Sequence, residues 1–445
     1  MMRAGIVLAA GQGTRMKSAT PKVMHTVAGL PLLGHVIAAM REAGIERIVV
    51  VTHAGGEEVR AFAEKMGAAS VVQEPRLGTG HAAGMAAAAL GDFSGALIVA
   101  YGDMPLVTSA TFEASFAAQA KSGIAMVAFR PKNPAAYGRM ILDGNGLLDR
   151  IVEFKDAGAQ ERAKTLCNAG ILAANAADFF RWTAMLGNDN AQKEYYLTDV
   201  PSFAKAEGVR CAVVEAGEIE MMGVNSRAEL AAAEAAMQVR LRARALAGAA
   251  GMTAPETVFL SYATVLEADC QIEPYVFFAP GVVVRSGARI RAFSHLEGAD
   301  VGPGAIVGPY ARLRPGAVLE ENVHIGNFVE VKNTHLEKGA KANHLSYLGD
   351  AHIGAAANIG AGTITCNYDG FDKHKTEIGA GAFIGSDTAL VAPVKVGDGA
   401  IVGAGSVVTR DVAAGALAVT RAEQKEIPGW AEKFRTRKKA AKNKK

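Results

Sequence analysis

From residue 253 onward, a large apolar residue returns at every sixth position. Ile272, Phe278, Val284, Ile290 and Leu296 make one run; after a slip of one residue, Val301, Val307, Leu313, Leu319, Ile325 and Val331 make a second; Ile378, Ile384, Leu390, Val396, Val402 and Val408 make a third. If roughly 0.3 of positions are large and apolar, six successive hits arise by chance about once in a thousand. A six-residue period with one inward side chain and tight turns is the pattern of a parallel β-helix. Each short strand adds one apolar residue to an interior stack, and small residues let the chain turn sharply between faces. Composition agrees. Glycine makes up 50 of 445 residues, 22 of them between 253 and 420, and it commonly follows the apolar position, as in Val301-Gly302 and Ile325-Gly326.

The period breaks over residues 336–352 and again over 366–377. A regular coil extrudes loops only by interrupting its period, so both breaks are candidate functional sites. The first contains His344-Leu345-Ser346-Tyr347 and the second Cys366-Asn367-Tyr368-Asp369-Gly370. Arg314 and Lys332 are eighteen residues apart, one turn of a three-sided coil, so they stack, and paired cations suit a sugar phosphate.

The first half of the chain has a different grammar. Short apolar runs at residues 6–10, 48–51, 71–72, 97–100 and 126–129 read as buried strands, and segments 32–43, 57–65, 81–90 and 111–122 as intervening helices. The alternation predicts a doubly wound, Rossmann-like α/β domain whose ligands bind beyond the carboxyl ends of its parallel strands. Ser226-Arg227-Ala228-Glu229 is a capping-box pattern opening an Ala- and Arg-rich helix that Gly248 would end. The expected organisation is a nucleotide-binding domain over 1–226, a linker helix over 227–248 and a β-helix domain over 249–445.

Candidate chemistry in the first domain begins at LAAGQGTRM, residues 8–16. Two glycines after a buried strand let backbone N–H groups approach an anion, and Arg15 and Lys22 would neutralise phosphate charge. Met16 stands where a dinucleotide fingerprint needs its third glycine, and no Walker lysine-serine pair follows, so neither common motif applies. Tyr101-Gly102-Asp103 ends another predicted strand, a place suited to a carboxylate that holds Mg²⁺ against phosphates. Further polar candidates are Gln73, Gly78-Thr79, Tyr137-Gly138-Arg139, Glu153, Asn168 and Asn225.

The formal charge of +3 comes from the end of the chain, where eight of the last thirteen residues are Lys or Arg; without them the balance is 39 basic against 44 acidic residues. The body has no basic excess of the kind nucleic-acid binding uses, and the tail from about residue 433 is expected to be disordered and solvated. Four widely spaced cysteines fit reduced structural thiols in a cytoplasmic protein. No apolar run reaches the ~18 residues that membrane insertion needs.

The motifs LAAGQGTRM, PKVMH, LGTGHA, YGDMP, YGR, IVEFKD, NAGIL, EYYLTD and GVNSR occur in the order seen in sugar-nucleotide pyrophosphorylases. With the hexapeptide repeat behind them, the chain resembles the bacterial bifunctional UDP-N-acetylglucosamine pyrophosphorylase/glucosamine-1-phosphate N-acetyltransferase family from residue 3 to about 425. The resemblance implies a left-handed β-helix and two activities. These are acetylation of glucosamine 1-phosphate by acetyl-CoA, then uridylyl transfer from UTP to N-acetylglucosamine 1-phosphate, for cell-wall and lipopolysaccharide precursors. It implies that Leu8, Ala9, Ala10, Gly11, Gln73, Gly78 and Thr79 hold the uridine nucleotide, and that Arg15 and Lys22 contact phosphates. Tyr101 and Gly102 would shape the site, Asp103 and Asn225 bind Mg²⁺, and Gly138, Glu153 and Asn168 bind the sugar. In the second domain it implies His344 as general base, with Arg314, Lys332, Tyr347 and Asn358 on the amino-sugar phosphate. Ala361, Asn367, Tyr368, Ser386, Ala404 and Arg421 would bind acetyl-CoA, with Gly403 standing where relatives often carry a small side chain. A homotrimer is expected, because acyl-donor grooves in such enzymes lie between neighbouring prisms.

Two other readings stay open on sequence. One is a single-activity pyrophosphorylase whose β-helix regulates or oligomerises, the plan that ADP-glucose and GDP-mannose pyrophosphorylases resemble; the other is a non-catalytic nucleotide-binding scaffold. His344, Tyr347 and Asn367-Tyr368 argue against a dead second domain.

Overall fold

The apolar runs of the first half become the central strands of a nine-stranded sheet in the order Arg210–Glu215, Gly123–Phe129, Cys167–Asn175, Ala96–Tyr101, Arg3–Leu8, Arg47–His53 and Ala69–Gln73. All neighbours along that path are parallel except Cys167–Asn175, which runs antiparallel to both strands beside it. The computed structural model describes residues 2–11, 13–134 and 137–442; Gln12 of the first motif and Lys444 and Lys445 of the tail lie outside them. Successive strand residues alternate between two buried clusters. Ile6, Val49, Val51, Leu97 and Val99 enter one, and Val7, Ile48, Val50, Ile98 and Ala100 the other. A strand buried on both sides reads as an unbroken apolar run, which is why these segments showed no polar alternation.

One compact unit runs to Ala243 and takes in Leu260–Tyr262; the other comprises Arg244–Phe259 and the chain from Ala263. The helix Arg227–Ala247 therefore contributes to both. At its start the Glu229 backbone N–H donates to Ser226 Oγ at 3.2 Å, while the Glu229 carboxylate reaches back to the Asn225 backbone N–H at 2.7 Å. The cap thus fixes the backbone of a candidate site residue as well as the helix end.

The second unit is the left-handed β-helix. Its coils stack as parallel two- to four-residue strands, extended to seven in Glu330–Leu336 and Tyr347–Ile353. Every residue of the three runs is buried. Ile272 pairs with Ile290, Ile290 with Val307, and Val307 with Ile325, so the one-residue slip shortens a coil without displacing the stack. The first break in the period is no extruded loop. Leu336, Ala342, Leu348 and Ile353 continue the stack, and the pattern is interrupted by the small side chain of Ala342 and by one-residue slips before Leu336 and before Ile353. The second break is a true excursion, in which residues 367–375 leave the coil between strands Ile364–Cys366 and Thr376–Ile378.

Each coil turns at corners that need left-handed backbone. Along one corner those positions are Tyr275, Phe293, Tyr310, Phe328 and Leu345; along another they are Gly298, Gly316, Asn333 and Asp350. The basic tail departs from expectation, because Trp430–Lys442 is a helix with no buried residue. Its run of Ala, Lys and Arg has high intrinsic helix propensity. No helix among the described residues is long and apolar enough to cross a membrane.

Candidate active sites

In the first unit the carboxyl ends of the strands open on a cleft of about 640 Å³. Leu8, Ala9, Ala10 and Gly11 form one wall, continuous with the end of strand Arg3–Leu8. Lys22, Gln73, Gly78, Thr79, Tyr101, Asp103, Gly138, Glu153, Asn168 and Asn225 also line it. Two expected residues do not. Arg15 is exposed on a short turn, and Gly102 lies behind the wall, where a Cβ would come within 3.3 Å of Val7 and 3.4 Å of Leu33. Arg139 of the YGR motif is buried and donates to the carbonyls of Tyr137 and Arg162. Arg76 lines the cleft as well, a cation that no motif in the sequence singled out.

The cleft has a polar end and a shaped end. At the polar end the Lys22 ammonium donates to the Asp103 carboxylate and, at 3.1 Å, to Asn225 Oδ1. Two oxygens from distant parts of the chain therefore already converge on one positive charge. A carboxylate and a carboxamide oxygen are hard donors, and Mg²⁺ binds through one or two such groups plus phosphate and water. At the other end, Thr198 Oγ1 donates to Glu153 at 3.1 Å, and burial holds the Glu153 carboxyl above the ordinary carboxylate value. Asn168 Oδ1 accepts the Gly170 N–H at 2.9 Å. Gln73 is buried, with Nε2 donating to the Gly78 carbonyl at 3.0 Å. Gly78 has φ 106°, and a Cβ there would sit 2.7 Å from the Tyr195 carbonyl, so the loop admits no side chain.

On the β-helix, His344 ends strand Lys341–His344 and pairs in register with Asn327 of the preceding coil. Its Nδ1 lies 2.9 Å from Asn327 Oδ1. Across the adjoining face, Arg314 donates to Glu330 at 2.8 Å, and Glu330 pairs in register with Tyr347. Arg314 and Lys332 do occupy consecutive coils of one column. Lys332 donates to both oxygens of Asp350 at 3.2 Å. Lys373, on the extruded loop, is pressed against Lys332, and that ammonium holds Lys373 below the ordinary lysine value. Two close ammonium groups beside a guanidinium make a strong anion site.

The residues expected to take acetyl-CoA divide between two corners. Ala361, Ser386 and Ala404 continue the His344 corner through successive coils, and Arg421 donates to the Ala404 carbonyl at 2.6 Å. A Cβ on Gly403 would lie 2.9 Å from that guanidinium, so the departure at Gly403 gives Arg421 its room. Asn367 and Tyr368 stand at the next corner, at the root of the loop, where the Tyr368 hydroxyl donates to the Gly370 carbonyl at 2.6 Å. Asn358 belongs to the same sheet as His344, paired with Lys341. All four cysteines are free thiols, and burial pushes Cys211 up to about 12 and Cys270 to about 11, which suits inert packing groups.

Sequence reading missed Asn327, Glu330, Lys373 and Asp350. Asn327 and Asp350 had a signal, since each lies one coil from a residue already singled out: seventeen residues before His344 and seventeen before Asn367. Lys373 sits on a loop outside the period and had none.

A nucleotide-sized cleft at the strand ends of one unit, and a histidine beside clustered cations on a hexapeptide β-helix, define a two-domain transferase. Residues 5–173 match the MobA-like NTP transferase domain, and residues 375–410 the six-repeat bacterial transferase hexapeptide. The chain is 52% identical to bifunctional protein GlmU of Jannaschia sp. (strain CCS1) over 98% of its length and 97% of that protein. It is 53% identical to bifunctional protein GlmU of Sphingopyxis alaskensis over 99% of both, and 56% identical to that of Acidiphilium cryptum over 98% and 99%. The chain belongs to the family of bifunctional GlmU proteins, as a multifunctional enzyme with uridylyltransferase and acetyltransferase activities in UDP-N-acetylglucosamine synthesis.

Proposed function

We propose that the β-helix acetylates glucosamine 1-phosphate with acetyl-CoA and that the α/β cleft then joins the N-acetylglucosamine 1-phosphate to UMP from UTP, releasing pyrophosphate. The observation that carries this reading is that each unit holds its own complete set of groups. One has convergent oxygens and a cation in a cleft; the other has an oriented imidazole beside clustered cations.

In the acetyl transfer, Arg314, Lys332, Tyr347 and Lys373 hold the sugar phosphate, with Asn358 on the sugar. Asn327 Oδ1 can only accept, so the His344 nitrogen facing it carries the proton and Nε2 keeps its lone pair. Nε2 takes the proton of the glucosamine amine as it attacks the thioester carbonyl, and CoA leaves as the thiol. Ala361, Ser386, Ala404, Arg421, Asn367 and Tyr368 hold acetyl-CoA.

In the uridylyl transfer, a phosphate oxygen of the sugar attacks the α-phosphorus of UTP and pyrophosphate departs, so the site must offset negative charge growing on the leaving group. Lys22 supplies one charge from the cleft wall, and Arg76 lines the same cleft. Asp103 and Asn225 would hold Mg²⁺, which supplies further charge neutralisation on the phosphates when bound. Glu153 and Asn168 orient the sugar, and Leu8–Gly11, Gln73, Gly78 and Thr79 the nucleotide. No side-chain nucleophile takes part.

On this reading the protein works in the cytoplasm, drawing on UTP and acetyl-CoA and supplying peptidoglycan and lipopolysaccharide precursors. A homotrimer is supported by Tyr275, Phe293, Tyr310 and Phe328, whose stacked rings run up the His344 corner half exposed. Side chains rarely take left-handed backbone, at a cost of about 1–2 kcal/mol each, and a second copy against the ladder would offset it. The division of acetyl-CoA residues between two corners also favours completion by a neighbouring prism. The test is to give purified protein glucosamine 1-phosphate, acetyl-CoA, UTP and Mg²⁺. CoA and pyrophosphate both appear if the reading is right, and pyrophosphate formation depends on acetyl-CoA.

A further inference from the structure

On the second corner of the β-helix, left-handed backbone falls to Gly316, Asn333 and Asp350 in successive coils, with φ of 82°, 45° and 50°. Lys332 pairs with Gly349 and Thr334 with Ala351, which sets Asn333 against Asp350. Asn and Asp are the side chains that accept this conformation most readily. Here the same residues also build a hydrogen-bonded column. Asn333 Nδ2 donates to Asp350 Oδ1 at 2.7 Å, Asn367 Nδ2 donates to Asp350 Oδ2 from the following coil, and Lys332 Nζ donates to both oxygens. Asp350 is 7% exposed, and a carboxylate so buried is stable as an anion only when its lone pairs are filled. Burial opposes its charge, but the bonds from Asn333, Asn367 and Lys332 outweigh it and hold the carboxyl below the ordinary range.

We propose that Asp350 is a positioning residue for acetyl transfer, one carboxylate fixing both the Lys332 ammonium that meets the sugar phosphate and the Asn367 carboxamide that meets acetyl-CoA. The inference rests on the roles proposed above for Lys332 and Asn367. Neither substrate needs to touch Asp350. Its oxygens set the separation between two anchoring groups on different coils, and small misplacements of such groups are costly to a bimolecular transfer. Both oxygens are needed, because each already receives two donors. An amide at this position would turn an N–H₂ group toward either Asn333 or Asn367, and in both cases toward the Lys332 ammonium.

The experiment measures CoA release by the full-length enzyme while glucosamine 1-phosphate and acetyl-CoA are varied in turn. Asp350→Asn, the isosteric change, is expected to raise KM for both substrates by about 10-fold or more. Lys332→Ala should raise it for the sugar phosphate alone and Asn367→Ala for acetyl-CoA alone. In the double variant Asp350→Asn/Lys332→Ala, the sugar-phosphate KM should be well short of the product of the single effects. Thermal melting and active-site titration of each variant separate a folding defect, which would lower the active fraction at unchanged KM. Folded Asp350→Asn with wild-type KM for both substrates, beside Lys332 and Asn367 variants that shift theirs, overturns the role of Asp350 alone. If Lys332→Ala and Asn367→Ala also leave both KM values unchanged, the assignment of this face falls and the inference with it.

Discussion

Asn327 Oδ1 stands 2.9 Å from Nδ1 of His344, one coil earlier on the same sheet. In the acetyl transfer proposed above, the contact selects the tautomer that leaves Nε2 free to act as the base, so its loss should slow the chemical step more than it weakens binding. Asn327→Ala is expected to lower kcat for CoA release by about 10–100-fold, with KM for either substrate changed much less. Pyrophosphate release from N-acetylglucosamine 1-phosphate and UTP should be untouched, because His344 and Asn327 belong to the β-helix. Steady-state kinetics of both half-reactions check this.

Lys22, Asp103 and Asn225 make a different prediction, since their oxygens and charge serve only the nucleotide cleft. Lys22→Ala should lower pyrophosphate release by about 10²–10³-fold. Chelation with EDTA should stop pyrophosphate release and spare CoA release, with added Mg²⁺ restoring the first. Parallel assays of one chelated preparation distinguish the two sites within a single sample.

Glu153 should show opposite effects on activity and stability. Burial holds its carboxyl above the ordinary value of 4.5, so the native state favours the proton and the ionised side chain destabilises the fold above that raised pKa. Stability from this group therefore increases as pH falls through the window between the raised value and 4.5. Glu153→Gln should raise the melting temperature at neutral pH and flatten its rise toward acid. If Glu153 orients the sugar as proposed, the same change should weaken N-acetylglucosamine 1-phosphate binding, because the ionised carboxylate would accept the sugar hydroxyls. Melting curves and sugar-phosphate KM across pH test both signs.

Gly170 is a steric prediction. It has φ 78°, and a Cβ would lie 1.9 Å from the Tyr101 ring, which is held in the cleft wall. Gly170→Ala combines left-handed strain with overpacking and should cost about 2–4 kcal/mol. Denaturant unfolding would measure that loss, and pyrophosphate release should fall with it as Tyr101 is displaced.

What could be read from sequence followed periodicity. The six-residue runs named the interior of the β-helix residue by residue, because one inward side chain per strand leaves a pattern that survives any surface sequence. The strands of the α/β unit were legible for a related reason, since burial on both faces makes Ile48–Val51 and its neighbours continuous apolar runs. Periodicity also misled. The break near His344 is no loop but Ala342 standing in the stack between two one-residue slips, and a small residue or a shifted frame is indistinguishable from an interruption when only large residues at a fixed spacing are counted. Motif order placed Asp103 and Asn225 in the cleft, yet nothing local said that Lys22 would lie between them. Asp350 was hidden because its role depends on neighbours one coil away on either side, which appear in sequence only as a spacing of seventeen. The helix of the tail is masked in sequence because its density of like charge suggests a solvated end, while its Ala, Lys and Arg run carries high helix propensity.

Two independent active sites on one chain can be separated by substitution. His344→Ala and Asp103→Ala, each confirmed folded by melting, should be assayed for CoA release from glucosamine 1-phosphate with acetyl-CoA, and for pyrophosphate release from N-acetylglucosamine 1-phosphate with UTP and Mg²⁺. His344→Ala should lose only the first and Asp103→Ala only the second, and mixing the two variants should restore conversion of glucosamine 1-phosphate to UDP-N-acetylglucosamine. Loss of both activities in either folded variant would contradict the independence of the two sites.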